Sequence, residues 1–326
     1  SFFWGIAVTT ATAIVAVIAP VLGAIADVSG RKKRFLLLFT GVACTFAASL
    51  FFVTKNAIAL GMVLFILAEV GYRSAQVFYN SLLPEIATER EMGRVSGNGW
   101  AIGSAGGVLC LLIVLAAVKL VGGTLIVRIS LLFTAAFFAA FTVPLFLRFR
   151  EQGERNPLPH GRELILVPLR RLAETVRAAR RHREFGKFLL AFLIYNEGIL
   201  ITLSYGAILG TTLFGLGRDQ IIIFMILVQV ASVPGAFIPG RMIGRFGIRN
   251  TLLCSLAGMV SAVLWLFFTR SVVAFYLIGA VAGFALTGVQ SVSRTTVGLL
   301  APLGRSAEFY GFFAVAGRTS SAVGPA

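Results

Sequence analysis

The sequence predicts an all-α, polytopic membrane helical bundle made of two copies of one unit, and three observations carry that prediction. Only 13% of residues are charged against 58% apolar, and the apolar residues fall in long uninterrupted runs. A polar hinge punctuated by glycines occurs twice, about 217 residues apart. The cations are concentrated in alternate loops.

A helix needs about 20 predominantly apolar residues to cross the bilayer core. Runs of that kind cover residues near 6–26, 35–53, 57–80, 96–118, 124–147, 187–211, 220–239, 251–269 and 272–293, and a tenth begins near 310. None alternates with period two, so helices rather than barrel strands satisfy the backbone in lipid. The chain opens in one span and closes in another, which predicts a fragment of a longer bundle.

The first hinge contains Gly23, Asp27, Gly30, Arg31, Lys32, Lys33 and Arg34, and the second contains Gly240, Gly244, Arg245, Gly247 and Arg249. The spacing from Gly23 to Gly30 equals that from Gly240 to Gly247, and Gly244 stands where Asp27 stands. An offset of 218 residues also places Pro84 on Pro302, Gly93 on Gly311, Gly99 on Gly317 and Gly106 on Gly324. Both copies cross in the same direction, which makes the repeat parallel, an arrangement found in transporters. The predicted organisation is an N-terminal bundle at 1–147, a connector at 148–186 and a C-terminal bundle at 187–326.

If the loop at 27–34 is cytoplasmic and sides alternate from there, 22 Lys and Arg residues fall on that side and five on the other. This positive-inside bias accounts for the net charge of +16 by topology and contact with the anionic inner leaflet, and no nucleic-acid partner is expected. In the connector, Ile165, Leu169, Leu172, Val176 and Ala179 recur at helical spacing among Arg170, Arg171, Arg177, Arg180 and Arg181, the pattern of a basic helix lying on a membrane surface. Cys44, Cys110 and Cys254 lie far apart in apolar runs, so neither a disulfide framework nor a metal set is expected.

These residues resemble a known family. Gly23-Ala24-Ile25-Ala26-Asp27-Val28-Ser29-Gly30-Arg31-Lys32 resembles the loop between the second and third helices of major facilitator transporters, with Ile25 and Val28 departing from its pattern. Tyr79-Asn80-Ser81-Leu82-Leu83-Pro84-Glu85-Ile86-Ala87, Gly93-Arg94-Val95-Ser96-Gly97-Asn98-Gly99-Trp100-Ala101, Tyr195-Asn196-Glu197-Gly198, Gln290-Ser291-Val292-Ser293-Arg294 and Gly304-Arg305-Ser306-Ala307-Glu308-Phe309-Tyr310-Gly311 are similar to its vacuolar amino-acid effluxer-like branch. The resemblance implies the major facilitator fold with about ten of its twelve helices present, from the second into the eleventh, and export of amino acids.

Charges at bilayer depth cost at least about 2.5–3.5 kcal/mol each, so each needs a reason. Glu69, Arg73, Gln76 and Asn80 share one helical face, where Glu69 and Arg73 can pair. They either lock helix packing or line a substrate path. The repeat maps Glu69, Arg73 and Gln76 onto Thr287, Ser291 and Arg294, with Gln290 nearby, and two equivalent polar stripes favour a shared cavity. The resemblance implies that these helices are the fourth and tenth of the family fold. On what it implies is the seventh, Tyr195 and Asn196 precede Glu197, which has no partner at i±3 or i±4. Glu197 is expected to bind a substrate ammonium, to carry the coupling proton or, as a packing alternative, to bond a neighbouring helix. Gln229 is a weaker candidate, since a lone Gln in a span commonly joins helices. Asp27, with Gly23, Gly30, Arg31 and Lys32, is expected to form a gate by capping another helix or pairing with a cation, and the resemblance places its partner at the start of the eleventh helix, near Gly311. Gly97, Gly99, Gly103, Gly106 and Gly107 form a small-residue face for close helix contact.

The expected function is secondary active transport of a small polar solute by alternating access, coupled to protons, with no cofactor and with the chain acting as a monomer. A cavity offering Glu197, Glu69, Arg73, Tyr195, Asn196 and Gln290 carries both signs of charge and suits a zwitterion such as an amino acid. A drug or sugar exporter of the same superfamily, or a non-transporting receptor or scaffold, is the alternative. An intramembrane enzyme is disfavoured because His160 and His182, the only histidines, lie in the connector. The expected location is the inner membrane of a prokaryote or the vacuolar or lysosomal membrane of a eukaryote.

Overall fold

The computed structural model describes residues 2–54, 57–151, 170 and 182–323. The predicted amphipathic helix of the connector lies outside the described residues, as does Gly324 of the repeat. Among the described residues the regular structure is entirely helical. Its long helices are α1 (Phe2–Ser29), α2 (Lys32–Ser49), α3 (Ile58–Ser81), α4 (Met92–Val121), α5 (Gly123–Arg148), α6 (Arg183–Thr212), α7 (Arg218–Phe268), α8 (Val272–Leu300) and α9 (Ser306–Val323). A 3₁₀ turn at Leu50–Phe52 ends α2, and a short helical turn at Leu83–Ile86 follows α3.

Every predicted span overlaps one of these helices, with 220–239 and 251–269 both on α7 and 35–53 running from α2 through the 3₁₀ turn. Eight helical segments among the described residues are long and apolar enough to cross a membrane. Their outer faces carry large apolar side chains that a soluble protein would bury, such as Leu120 and Phe268, which are 86% and 87% exposed. The exposed residues are explained by lipid contact, and the chain is an integral, multi-pass membrane protein.

The second hinge agrees with the sequence reading: within α7 two helices, 218–246 and 248–268, meet at a kink. The kink is at Gly247, with φ 76° and ψ 163°. The matching Gly30, with φ 63°, separates α1 from α2. Both glycines occupy backbone conformations that a side chain would strain, which gives the repeated Gly23–Gly30 and Gly240–Gly247 spacing a conformational cause.

The helices gather into two compact units, each containing segments of both sequence copies. One comprises Ser1–Glu85, Leu112–Ala191 and Leu300–Ala326, the other Ile86–Leu111 and Phe192–Leu299. In the first, Phe35 and Phe39 stack on buried Phe78 at 5.4 and 5.7 Å, in a core that includes Ala26, Leu36, Leu82 and Ala307. In the second, Ile199, Met259, Ala285 and Val289 form the core, with Tyr195 packed at its edge.

Small residues let the helices of each unit cross closely. A Cβ at Gly23 of α1 would collide with the Ala307 carbonyl of α9, and one at Gly311 would lie 2.7 Å from Pro20 Cα. In the other unit a Cβ at Gly97 of α4 would lie 2.7 Å from the Ala236 carbonyl, and one at Gly240 would lie 2.7 Å from the Gly93 carbonyl. The predicted glycine face of α4 is therefore tight only at its start, because Cβ atoms at Gly103 and Gly106 would meet nothing within 4 Å.

Candidate functional site

The polar residues of α6 and α8 assemble within the second unit. Asn196 is buried, and its Oδ1 accepts a hydrogen bond from Gln290 Nε2 at 3.1 Å. One residue earlier, the Tyr195 hydroxyl lies 2.7 Å from Ser293 Oγ. Ser293 Oγ also donates to the Val289 carbonyl at 2.6 Å, so its proton is committed and Tyr195 is the donor between the two hydroxyls. Two side chains of α6 are thereby fixed on two side chains of α8.

Glu197 follows directly and is half-buried. Among the described residues, no hydrogen bond or ion pair reaches its carboxylate. Its neighbours Tyr195 and Asn196 are anchored while it remains available to an ammonium group or a proton. Gln229 lies beside α4, with Nε2 3.5 Å from where a Cβ on Gly107 would sit.

The second polar stripe divides when its partners are examined. Thr287 is buried and donates to the Gly283 carbonyl of its own helix at 3.0 Å, so its hydroxyl serves α8. Arg294 is 5% exposed; its Nε donates to Ser96 Oγ and its Nη2 to the Ser96 carbonyl, both at 3.0 Å. Ser96 Oγ in turn donates to the Ser291 carbonyl at 3.1 Å. The guanidinium thus clamps one residue of α4 through two acceptors and joins α8 to α4. Arg294 is read from sequence as part of the transport pathway; its observed contacts are those of a helix-joining group.

The first stripe belongs to the other unit. Glu69 and Arg73 form the predicted i,i+4 ion pair, with side chains about one-fifth exposed. Gln76 Nε2 donates to the Tyr72 hydroxyl at 2.9 Å, and Tyr72 meets Phe138 of α5 edge-on. Asn80 is half-buried one turn further along.

The first hinge forms the most concentrated charge cluster in the described structure. Asp27, whose side chain is fully buried, accepts hydrogen bonds from the backbone N–H groups of Ala307 at 3.2 Å and Glu308 at 2.7 Å. These are orphan donors of the first turn of α9, where the helix dipole also favours a carboxylate. Lys32 Nζ lies 3.1 Å from Asp27 and 2.7 Å from Glu85, and it donates to Ser306 Oγ at 2.7 Å. Ser306 Oγ donates onward to the Ser81 carbonyl at 3.0 Å. Four segments, α1, α2, the Leu83–Ile86 turn and α9, therefore meet on one lysine and one aspartate, and α3 joins them through Ser306. Gly23 makes room for the meeting by its contact with Ala307, and Gly30 turns the chain so that Lys32 points back at Asp27. Arg31 lies alongside, and its Nε has no hydrogen-bond partner in the described structure. Lys33 holds the start of the connector, its backbone N–H bonded to the Glu151 carboxylate and its Nζ to the Phe149 carbonyl, each at 2.5 Å.

Ser81, Glu85, Ser96, Ser293 and Ser306 stand in the family-like motifs, but the sequence assigns none of them a role. Serines in apolar helices usually bond their own backbone and give no signal of a distant partner. Glu85 did carry one: it follows Pro84, a repeat-matched position, and sits close to the end of a span.

Comparison with known proteins accords with this architecture. The family described as "Vacuole effluxer Atg22 like" matches residues 3–93 and 88–326. An uncharacterised MFS-type transporter of Bacillus subtilis, YxiO, is 27% identical over 99% of this chain and 76% of its own length. Autophagy-related protein 22 of Yarrowia lipolytica is 23% identical over 91% of this chain, which spans 65% of that relative's length. Among solved structures, the human organic anion transporter MFSD10 superposes with a TM-score of 0.74 at 19% identity, covering 98% of this chain and 76% of MFSD10. The proton:xylose symporter XylE gives a TM-score of 0.68 at 15% identity over 98% of this chain and 76% of its own.

Proposed function

The chain belongs to the Atg22-like vacuole effluxer family of major facilitator transporters, and from that membership we propose that it exports amino acids by alternating access in exchange for protons. Membrane transport is the activity common to the superfamily, whose members are not enzymes. The observation that supports the finer reading is Glu197, a half-buried carboxylate in a span, beside the anchored Tyr195 and Asn196. A zwitterion needs a carboxylate for its ammonium group, together with hydrogen-bonding groups for its own carboxylate; Glu197 supplies the first, and Tyr195, Asn196 and Gln290 are the polar groups beside it in the same unit. In the same reading, the Asp27–Lys32 cluster is the gate: its contacts hold one side shut, and exchange requires them to part.

The test uses the full-length protein in proteoliposomes loaded with labelled amino acids. Wild type is expected to release at least one of them at a rate that changes with an imposed pH difference. Glu197→Gln is expected to lower that rate by about 10-fold or more and to flatten its pH dependence, as loss of a positioned proton carrier does. Unchanged release and unchanged pH dependence in Glu197→Gln would remove both roles from this residue. Absence of flux for every amino acid in folded wild type would remove the substrate assignment.

A further inference from the structure

A basic cleft beside the second hinge takes no part in the reading above. It is open to the surface, has a volume of about 210 Å³ and is lined by Arg90, Glu91, Arg94, Gly240, Arg241 and Gly244. Drug-sized ligands need about 300–1,000 Å³, so the size suits a small anion or a single headgroup. Three guanidinium groups meet one carboxylate here, and that carboxylate is engaged: Glu91 pairs with Arg94 at 3.2 Å and accepts from Thr88 Oγ1 at 3.0 Å. Arg241 is held in place by Asn98 Oδ1 at 3.1 Å and by the ring of Phe237, whose centroid lies 3.3 Å from the guanidinium carbon. Among the described residues, neither Arg90 nor Arg241 has an ion-pair partner.

The repeat indicates what would complete this cleft. In the first hinge, the carboxylate of Asp27 is the anion around which α1, α2 and α9 assemble. Its counterpart in the second hinge is Gly244, and a Cβ built there would meet no atom within 4 Å. The space that a carboxylate would fill is open to the surface, and Arg90, Arg94 and Arg241 line the same cleft.

We propose that the second hinge takes its anion from outside the chain: the cleft binds a phosphate group, with Arg90, Arg94 and Arg241 as its partners, in the position that the Asp27 carboxylate holds in the first copy. The planar fork of arginine matches phosphate oxygens in pairs, and the two glycines let the ligand approach the backbone. Arg90 precedes α4, Arg94 lies on it and Arg241 lies on α7, so the bound group staples these helices where Gly93 and Gly97 already meet Gly240. The phosphate can belong to a lipid headgroup or be free in solution. The binding does not depend on the substrate transported.

The test uses the full-length protein, delipidated and held in uncharged detergent, with thermal unfolding as the readout. One arm compares inorganic phosphate with chloride at matched ionic strength. The other compares phosphatidylcholine nanodiscs with and without a minor fraction of phosphatidic acid. Binding near saturation is expected to raise Tm by about 2–4 °C in at least one arm. A rise in the detergent arm identifies free phosphate as sufficient, and a rise confined to nanodiscs identifies the lipid headgroup. Arg94→Gln and Arg241→Gln should each remove most of the rise, and Arg241→Lys should retain part of it. Gly244→Asp should raise Tm without any added anion and abolish the response. No rise in either arm, or the same rise in Arg241→Gln as in wild type, would overturn the proposal. If Gly244→Asp does not fold, the arginine variants decide alone.

Discussion

The two hinges share a glycine spacing and differ in what occupies the place next to it. In the first, Asp27 is buried among Lys32 and the backbone N–H groups of Ala307 and Glu308, with Glu85 and Ser306 completing the shell around Lys32. In the second, Gly244 leaves the equivalent place open, and the crossing of α7 with α4 relies on glycine contact and on Arg241 bonding Asn98. The N-terminus of α9 is capped by a carboxylate from another helix, whereas that of α4 is arranged locally, with the N–H groups of Glu91 and Met92 bonded to the Thr88 carbonyl at 3.0 and 2.9 Å. A duplicated scaffold thus keeps its backbone turn strictly while its electrostatics diverge. The turn is fixed by a positive φ, which few residues tolerate, but the charge can be supplied by the chain or by a ligand.

The comparison can be broken most directly at Asp27. Asp27→Ala leaves Lys32 buried with Glu85 as its remaining anion and removes the cap of α9, and it should destabilise the protein by about 3–5 kcal/mol, read as a fall in Tm. Gly23→Ala comes next: its methyl would meet the backbone of Ala307 rather than a flexible side chain, and overpacking of this kind costs about 1–3 kcal/mol. Arg294→Lys keeps the charge but loses the paired donors that reach both acceptors of Ser96, with an expected cost of about 1–2 kcal/mol in the same measurement. Gly244→Ala should have the smallest effect, within about 0.5 kcal/mol, because its surroundings are open. If Gly23→Ala and Gly244→Ala had equal effects, the claimed asymmetry of the hinges would fail.

Much of the fold is legible in the sequence because lipid imposes length and apolarity on each span, and ten such runs are present. The i,i+4 spacing of Glu69 and Arg73 also gives their ion pair directly, since both partners lie on one helix. What was not legible are contacts whose partners lie far along the chain. Arg294 finds its acceptors on Ser96, 198 residues away, and no periodicity links them. Thr287 occupies a stripe position, yet its hydroxyl bonds Gly283, because a short hydroxyl in a helix reaches the preceding carbonyl more readily than a neighbouring side chain. The second hinge is legible as a break between spans because Gly244, Arg245, Gly247 and Arg249 are polar or small, and two helices meet there at Gly247, the residue that leaves the helical conformation.

That single break has a mechanical consequence. The part of α7 after Gly247 runs to Phe268, roughly 30 Å at 1.5 Å per residue. Met259 on it packs with Ile199, Ala285 and Val289 in the core of the second unit, so a change of torsion at Gly247 has to carry that core with it. A side chain at position 247 would strain the backbone without touching any charge, separating the geometry of this turn from its chemistry.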